Sequence, residues 1–141
     1  MRVLLVAHNF PPAHSAGTEL YTAQLARELI KRGHELRVFT TDKDVALRHL
    51  SVRERVWEGV RVTELINNLY YASFRETWDY APVDAAFGAL LDRERPDVVH
   101  FQHLLYLSIG CVEQAAARRI PMLFTLHDYW SMCHRTQLIK P

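Results

Sequence analysis

The chain has 141 residues, enough for one domain that buries roughly two-thirds of its unfolded surface. Hydrophobic residues make up 49% and charged residues 23%, with a net charge of +1, so a globular protein is expected and no strong field directs it to nucleic acid. Two cysteines favour a reducing cytoplasm over a disulfide framework, and the apolar N-terminal run is too short for a signal sequence or a membrane span.

The first part of the chain predicts a strand, a helix and a second strand. Residues 3–7 form a continuous apolar run, which is typical of a parallel strand buried on both faces. Residues 18–32 have helical periodicity, with Thr18 predicted to cap the helix and Gly33 to end it, and residues 36–41 follow as a strand. The predicted apolar face of the helix consists of Tyr21, Leu25, Ala26, Leu29 and Ile30.

The later elements continue this alternation. Residues 98–101 and 122–126 are predicted strands that each follow a proline, and residues 60–63 alternate like a strand exposed on one side. Residues 43–58 and 67–80 have no assigned structure. The two helices before the later strands have predicted apolar faces formed by Ala86, Phe87, Leu90 and Leu91, and by Leu107, Cys111, Val112 and Ala115.

Alternating strands and helices predict an α/β fold, a Rossmann-like three-layer domain with a mostly parallel sheet and helices on both faces. Ligands bind such sheets beyond the carboxyl ends of the strands. The candidate segments at those ends are residues 8–17, 41–44, 102–106 and 127–130.

The loop after the first strand carries a single glycine, Gly17. A dinucleotide-binding turn needs Gly-x-Gly-x-x-Gly so that a pyrophosphate can approach the backbone, and NAD binding is therefore disfavoured. Gly17 still stands at a helix N-terminus, where free amide groups attract an anion. The residues alone allow a turn residue or a phosphate contact, and Glu19 in the first turn opposes a purely anionic site.

Histidine occurs eight times, and several copies fall in or after predicted strands. A lone histidine such as His8 is more often a satisfied polar group than a ligand, and His100 lies inside a strand and is interpreted as structural. His103 and the pair His127–Asp128 follow strands at the carboxyl edge. There they suit contact with a sugar hydroxyl or an acid–base role near neutral pH.

Metal and hydrolase chemistry find little support in the sequence. A zinc site built from His127, Cys133 and His134 lacks the spacing of known zinc motifs. A Gly-x-Ser-x-Gly nucleophile elbow and a P-loop are both absent. We therefore predict no metal ligands.

Residues 70–80 concentrate aromatic side chains, namely Tyr70, Tyr71, Phe74, Trp78 and Tyr80. One interpretation is core packing or a covering flap. The other is an acceptor groove whose flat apolar faces stack on sugars or meet a lipid carrier. Both remain open from the sequence.

Several motifs in this order are similar to those of one enzyme family. They are Asn-Phe-Pro-Pro at residues 9–12, Gly-Thr-Glu at residues 17–19, and residues 32–38, 96–101 and 121–130. Together they resemble the N-terminal domain of the family-4 (group 1) retaining glycosyltransferases. That family has the GT-B fold, in which two Rossmann-like domains face each other.

The resemblance implies roles for particular residues. Gly17 and Thr18 would contact the phosphates and sugar of the donor, His103 and His127 would be catalytic, and Gln102 and Asp128 would line the acceptor cleft. Many family members have His-x-His where this chain has His100-Phe101-Gln102, so either Gln102 or His103 faces the ligand. The usual Gly-Gly of the front loop is Gly17-Thr18 here.

The implied reaction is hexosyl transfer from a nucleotide sugar to a hydroxyl acceptor, with retention, in glycan or cell-surface polysaccharide synthesis. The acceptor would be a carbohydrate or a lipid-linked carbohydrate, reached through peripheral membrane contact, and no cofactor or metal would be needed. Residues 1–141 would form the acceptor-side domain, ending near the interdomain boundary at residues 136–141. A C-terminal domain outside this chain would bind the donor, so the chain alone would have little activity.

Two alternatives from other classes remain. One is a stand-alone binding or regulatory module that uses the aromatic segment for a protein partner. The other is a different nucleotide-binding enzyme domain, such as a dehydrogenase or an epimerase, against which the missing glycines count.

Overall fold

The computed structural model describes residues 1–133, so the predictions for His134 and for the domain end at residues 136–141 lie outside it. The described chain alternates strands and helices. They are β1 (Arg2–Val6), α1 (Gly17–Lys31), β2 (Glu35–Asp42), β3 (Val52–Trp57), β4 (Val60–Ile66), a 3₁₀ helix (Phe74–Thr77), α2 (Ala81–Glu94), β5 (Val98–Phe101), α3 (Gly110–Ala117) and β6 (Met122–Phe124).

These strands form one sheet in the order β3-β4-β2-β1-β5-β6. All neighbouring pairs are parallel except β3 and β4, which are antiparallel. Side chains of α1 pack on one face of the sheet, and those of α2 and α3 pack on the other. The predicted α/β, Rossmann-like three-layer fold with a mostly parallel sheet is therefore confirmed.

The core is double because side chains alternate across the central strand β1. Leu4 and Val6 join the cluster under α2 and α3, whereas Val3 and Leu5 join the cluster under α1. Phe87 of α2 anchors the first cluster. It is fully buried, and its ring lies 5.1 Å from that of Phe39 and 6.1 Å from that of Phe101. Burying one such side chain stabilises the fold by about 1.5–3 kcal/mol.

Helix α1 forms where predicted, and its buried face overlaps the predicted one, because Ala26 is buried and Leu25 and Leu29 pack against the core. The buried side chains are Glu19, Thr22, Ala23 and Ala26, whereas Tyr21 and Ile30 are 45% and 38% exposed. Small residues let the helix approach the sheet closely, and the large side chains of Tyr21 and Ile30 lie on its flanks. Tyr21 is thereby placed at the cleft described below.

The predicted cap of α1 is wrong at one end and right at the other. Ala16, not Thr18, occupies the N-cap position, and no side chain caps the helix there. The Thr18 carbonyl instead accepts a hydrogen bond of 2.7 Å from the Thr22 hydroxyl. Gly33 follows the helix with a φ of +81°, as expected of a residue that ends a helix.

Strand β4 is longer and more buried than residues 60–63 predicted, because β3 covers its edge. The alternation between exposed and half-buried side chains belongs to β3, which comes from the unassigned segment 43–58. Glu64 of β4 links the two strands, because it forms ion pairs with Arg53 of β3 at 2.7 Å and with Arg55 of β3 at 2.6 Å.

The far edge of the sheet is formed by β6, whose three residues are all exposed. Within the described part of the chain, β6 has β5 as its one strand neighbour. Helix α3 begins at Gly110, so the predicted apolar residue Leu107 is buried in the loop before it. Among residues 1–133, no helix is both long and apolar enough to span a bilayer.

Candidate functional site

The carboxyl ends of β1, β5 and β6 meet the N-terminus of α1 around a cleft of about 540 Å³. This is the edge at which parallel α/β sheets bind ligands, because the loops there diverge from neighbouring strands. The cleft is lined by His8, Gly17, Thr18, Glu19, Tyr21, His103, Leu105, His127 and Asp128, together with Ala16.

The start of α1 forms one wall of the cleft. The first backbone bond of the helix runs from the Leu20 amide to the Ala16 carbonyl at 3.0 Å, so the amides of residues 17–19 have no partner within the helix. Ala16 offers no capping oxygen. A Cβ built on Gly17 would meet no atom within 4 Å, so the space beside this residue, which lines the cleft, is open.

His127 lines the opposite wall, and its ring orientation is held from below. Its Nε2 lies 2.9 Å from Oε1 of Gln102, an acceptor, so Nε2 carries the proton. No residue among 1–133 pairs with its Nδ1, whose lone pair is therefore available. Burial first, and then neighbouring His103, lower the pKa of His127, so the ring is neutral at pH 7.

His103 is buried and has both ring nitrogens engaged. Its Nδ1 accepts a hydrogen bond of 3.0 Å from the Leu105 amide, which leaves Nε2 as the protonated nitrogen, 3.1 Å from Oδ2 of Asp128. His103 therefore holds Asp128 in place and offers no free nitrogen to a ligand in this arrangement. The catalytic role predicted for His103 stays a prediction.

Asp128 is an ionised acceptor at the rim of the cleft. Its Oδ1 accepts a hydrogen bond of 2.8 Å from the Trp130 amide. Partial burial acts to raise the pKa of Asp128, but the hydrogen bonds from Trp130 and His103 outweigh it, so the net pKa lies below the usual value. Its side chain is 36% exposed, which leaves lone pairs open to a ligand.

The structure adds two side chains to the cleft: His8, which the sequence placed only within the candidate segment 8–17, and Glu19, which was not assigned to the site. Nε2 of His8 lies 3.3 Å from Oε1 of Glu19, and its ring centroid lies 4.6 Å from that of His103. Burial first, and then the proximity of His103, lower the pKa of His8 to about 4, although Glu19 opposes the shift. The signal available in the sequence was a histidine directly after β1 and a carboxylate in the first turn of α1.

Of the predicted site residues, Gly17, Thr18, His103, His127 and Asp128 all line the cleft. Gln102 is fully buried and supports His127 from beneath. Where a ligand contacts these residues stays a prediction.

Two other sequence candidates lie apart from the cleft. His100 pairs with the Thr125 hydroxyl at 2.8 Å, which fits its structural interpretation. The segment 41–44 is engaged in the protein itself, with Asp42 2.6 Å from Arg53 and the Thr41 hydroxyl 2.6 Å from the His8 carbonyl. In the described chain, no group of three or more histidine, cysteine or acidic side chains is arranged to hold a metal ion.

Solved structures with the same fold include a sucrose-phosphate synthase and two UDP-GlcNAc 2-epimerases. Sucrose-phosphate synthase from Thermosynechococcus elongatus superposes with a TM-score of 0.64 at 20% identity, over 96% of this chain and 36% of that chain. UDP-GlcNAc 2-epimerase from Methanocaldococcus jannaschii superposes with a TM-score of 0.57 at 16% identity, over 89% of this chain and 31% of that chain. The UDP-GlcNAc 2-epimerase from Neisseria meningitidis, solved with bound UDP-GlcNAc, superposes with a TM-score of 0.52 at 15% identity, over 96% of this chain and 36% of that chain. At these identities the likeness establishes the fold alone.

The sequence itself matches a family. The comparison with curated proteins found no significant match to the chain. The sequence model of Glycosyltransferase Family 4, in contrast, matches residues 15–140, which include the start of α1 and the residues of the cleft beyond β5 and β6. The chain therefore belongs to glycosyltransferase family 4.

Proposed function

We propose that this chain forms the acceptor side of an enzyme that transfers a hexosyl group from a nucleotide sugar to a hydroxyl, with retention at the anomeric carbon. The acceptor is a carbohydrate or a lipid-linked carbohydrate, in glycan or cell-surface polysaccharide synthesis in the reducing cytoplasm. The observation that carries the proposal is one cleft, in a family 4 chain, where the uncapped start of α1 meets His127 and Asp128.

The start of α1 is assigned to the donor. Unpartnered amides and the positive end of the helix dipole attract a phosphate without a metal ion. Gly17 leaves room for that approach, and Thr18 adds a hydroxyl beside it. The carboxylate of Glu19 is turned toward His8, 3.3 Å away. No organic cofactor is needed, because the nucleotide sugar brings its own leaving group.

His127 and Asp128 are assigned to the acceptor. The lone pair on Nδ1 of neutral His127 accepts a hydrogen bond from the attacking hydroxyl, and Gln102 fixes the ring through Nε2. Ionised Asp128 accepts from a second hydroxyl and is itself held by His103. A positioned base of this kind contributes typically 10²–10⁴-fold to a rate.

The chain spans 31–36% of the length of the solved structures above. In the proposed enzyme a C-terminal domain supplies the remaining donor contacts and closes the cleft. The chain alone would then have weak donor affinity and little activity. Peripheral contact with a membrane would deliver a lipid-linked acceptor.

The test is a donor screen on the full-length protein. UDP-, GDP- and ADP-hexoses are incubated with sugar acceptors, and release of the nucleoside diphosphate is followed. Proton NMR of the product reports the anomeric configuration through its coupling constant. Acceptor-dependent release with retention supports the proposal, and interconversion of the nucleotide sugar without an acceptor would replace it with an epimerase.

A matched pair of histidine variants tests the site. His127→Ala should lower kcat at least 100-fold, whereas His100→Ala, which removes a half-buried histidine outside the cleft, should lower it less than 3-fold. Equal loss in both variants, tracking loss of folding in a urea titration, would assign His127 a structural role.

A further inference from the structure

A second depression lies beside the cleft, and the aromatic segment forms one of its walls. We call it the aromatic groove, and its volume is about 610 Å³. Its walls come from three parts of the chain, represented by Phe74, Trp78, Leu105, Ile109, Trp130 and Met132. The volume is in the range of pockets that bind organic ligands.

The walls are tied together by hydrogen bonds, so the groove is formed without a ligand. Nδ2 of Asn67, a residue 1% exposed, donates to the Tyr71 hydroxyl at 3.1 Å and to the Tyr106 carbonyl at 2.8 Å. The Ile109 amide donates to the Trp78 carbonyl at 2.9 Å. These bonds join the aromatic segment to the loop between β5 and α3. The segment is therefore a wall rather than a loose flap.

The chemistry of the groove excludes several occupants. Among residues 1–133, none that lines the groove carries a charge, so a phosphate or an acidic peptide finds no partner in this part of the chain. Side-chain amides and carboxylates, which recognise sugar hydroxyls, are also absent from the lining that the described residues 1–133 provide. Phe74 is 79% exposed. An aliphatic chain is the ligand that gains the most binding free energy on such a surface, because its burial removes apolar area from water on both partners.

The groove is continuous with the cleft. Leu105 lines both, and Trp130, a wall of the groove, has its ring 5.6 Å from that of His103 and its amide bonded to Asp128. A molecule whose sugar hydroxyl lies at His127 and Asp128 therefore has an open path for its remaining atoms into the groove.

We propose that the aromatic groove binds the aliphatic aglycone of the acceptor. The inference rests on the proposed function, because the cleft determines which end of the acceptor carries the hydroxyl. It commits to an acceptor with a hydrocarbon chain, rather than to a free oligosaccharide.

The test measures binding of alkyl β-glucosides to the full-length protein by tryptophan fluorescence, below their critical micelle concentrations. Each fully buried methylene corresponds to about a fourfold change in Kd. We expect Kd to fall threefold to fourfold per methylene from butyl to octyl glucoside. Phe74→Ser should weaken octyl glucoside at least tenfold and leave methyl glucoside unchanged.

Tyr70→Ser is the matched control, because Tyr70 is an aromatic residue 62% exposed that does not line the groove. It should leave octyl glucoside binding within twofold of the parent. Three outcomes would overturn the proposal. They are a Kd that does not change with alkyl chain length, equal weakening of octyl glucoside binding by both variants, and occupation of the groove by maltotetraose rather than by octyl glucoside. Nucleoside diphosphate release with a chain-free sugar acceptor is measured in parallel, so failure of the groove and failure of the transferase function are distinguished.

Discussion

His8 makes the fold sensitive to acid, and the size of the effect follows from its surroundings. Its side chain is 13% exposed, and its folded pKa is lowered to about 4 from an unfolded value of 6.5. Because the unfolded chain binds the proton more readily, stability is complete above pH 6.5 and is lost as pH falls toward 4. Between pH 8 and pH 5 the loss due to His8 is about 2 kcal/mol.

The assay is urea unfolding of the protein at pH 8 and pH 5, compared with His8→Gln. The glutamine retains a hydrogen-bond donor toward Glu19 but does not titrate. The variant should lose about 2 kcal/mol less than the parent over this interval, whatever its absolute stability at pH 8. Differencing the two proteins cancels the contributions of His100 and His127, whose pKa values are also lowered chiefly by burial.

Proton NMR provides an independent measurement. The His8 ring resonance, identified by its loss in the variant, should titrate well below pH 6. An equal pH dependence in both proteins, or titration of this ring near pH 6.5, would refute the assignment of His8 as a buried neutral histidine.

Three further predictions concern the glycines and the cleft. Gly17→Ala should leave the free energy of unfolding unchanged or higher by up to about 1 kcal/mol, since its Cβ meets open space, yet raise the donor KM at least tenfold; an unchanged KM would remove Gly17 from the donor site. Gly110→Ala should destabilise by about 1–3 kcal/mol in urea unfolding, because its Cβ would clash with the Asp84 carboxylate; neutral behaviour would contradict the packing of α3 on α2. Asp128→Asn keeps an oxygen for His103 but removes the charge, so kcat should fall about 100-fold with stability retained, and full turnover would exclude Asp128 from the mechanism.

The strands of the parallel core were predictable because β1 is a continuous apolar run, and β2 and β5 are short β-rich runs that follow the helix-ending residues Gly33 and Pro96. Residues 3–7, 36–41 and 98–101 match β1, β2 and β5 to within a residue or two at each end. The hairpin of β3 and β4 was missed in part, because β3 has three charged residues in succession, Arg53, Glu54 and Arg55, and has one face open to solvent. Its backbone pairing with β4 and its ion pairs with Glu64 show where it lies, and both join residues that sequence periodicity does not connect.

The site was predictable in location and less so in detail. Strand ends nominated His103, His127 and Asp128, because all parallel strands present their carboxyl ends at the same edge. The hydrogen bond from the Leu105 amide, which takes the Nδ1 lone pair of His103, depends on local backbone geometry. The partnership of His8 with Glu19 depends on the depth at which α1 packs, which follows from small side chains rather than from the large ones that dominate a periodicity argument.

The packing of α1 couples its buried middle to the cleft. Ala23 and Ala26 are essentially fully buried, and the N-terminal end of the same helix lines the cleft, so a tilt at these residues moves that end. Gly17 is nine residues from Ala26, about 13.5 Å along the axis, so a tilt of about 5° at Ala26 displaces the helix start by roughly 1.2 Å. Displacements of that size at a reacting centre can cost about 100-fold in rate. Ala26 lies far from any substrate, yet Ala26→Val should displace the donor relative to the acceptor. It should therefore lower the rate of transfer more than its effect on the free energy of unfolding suggests.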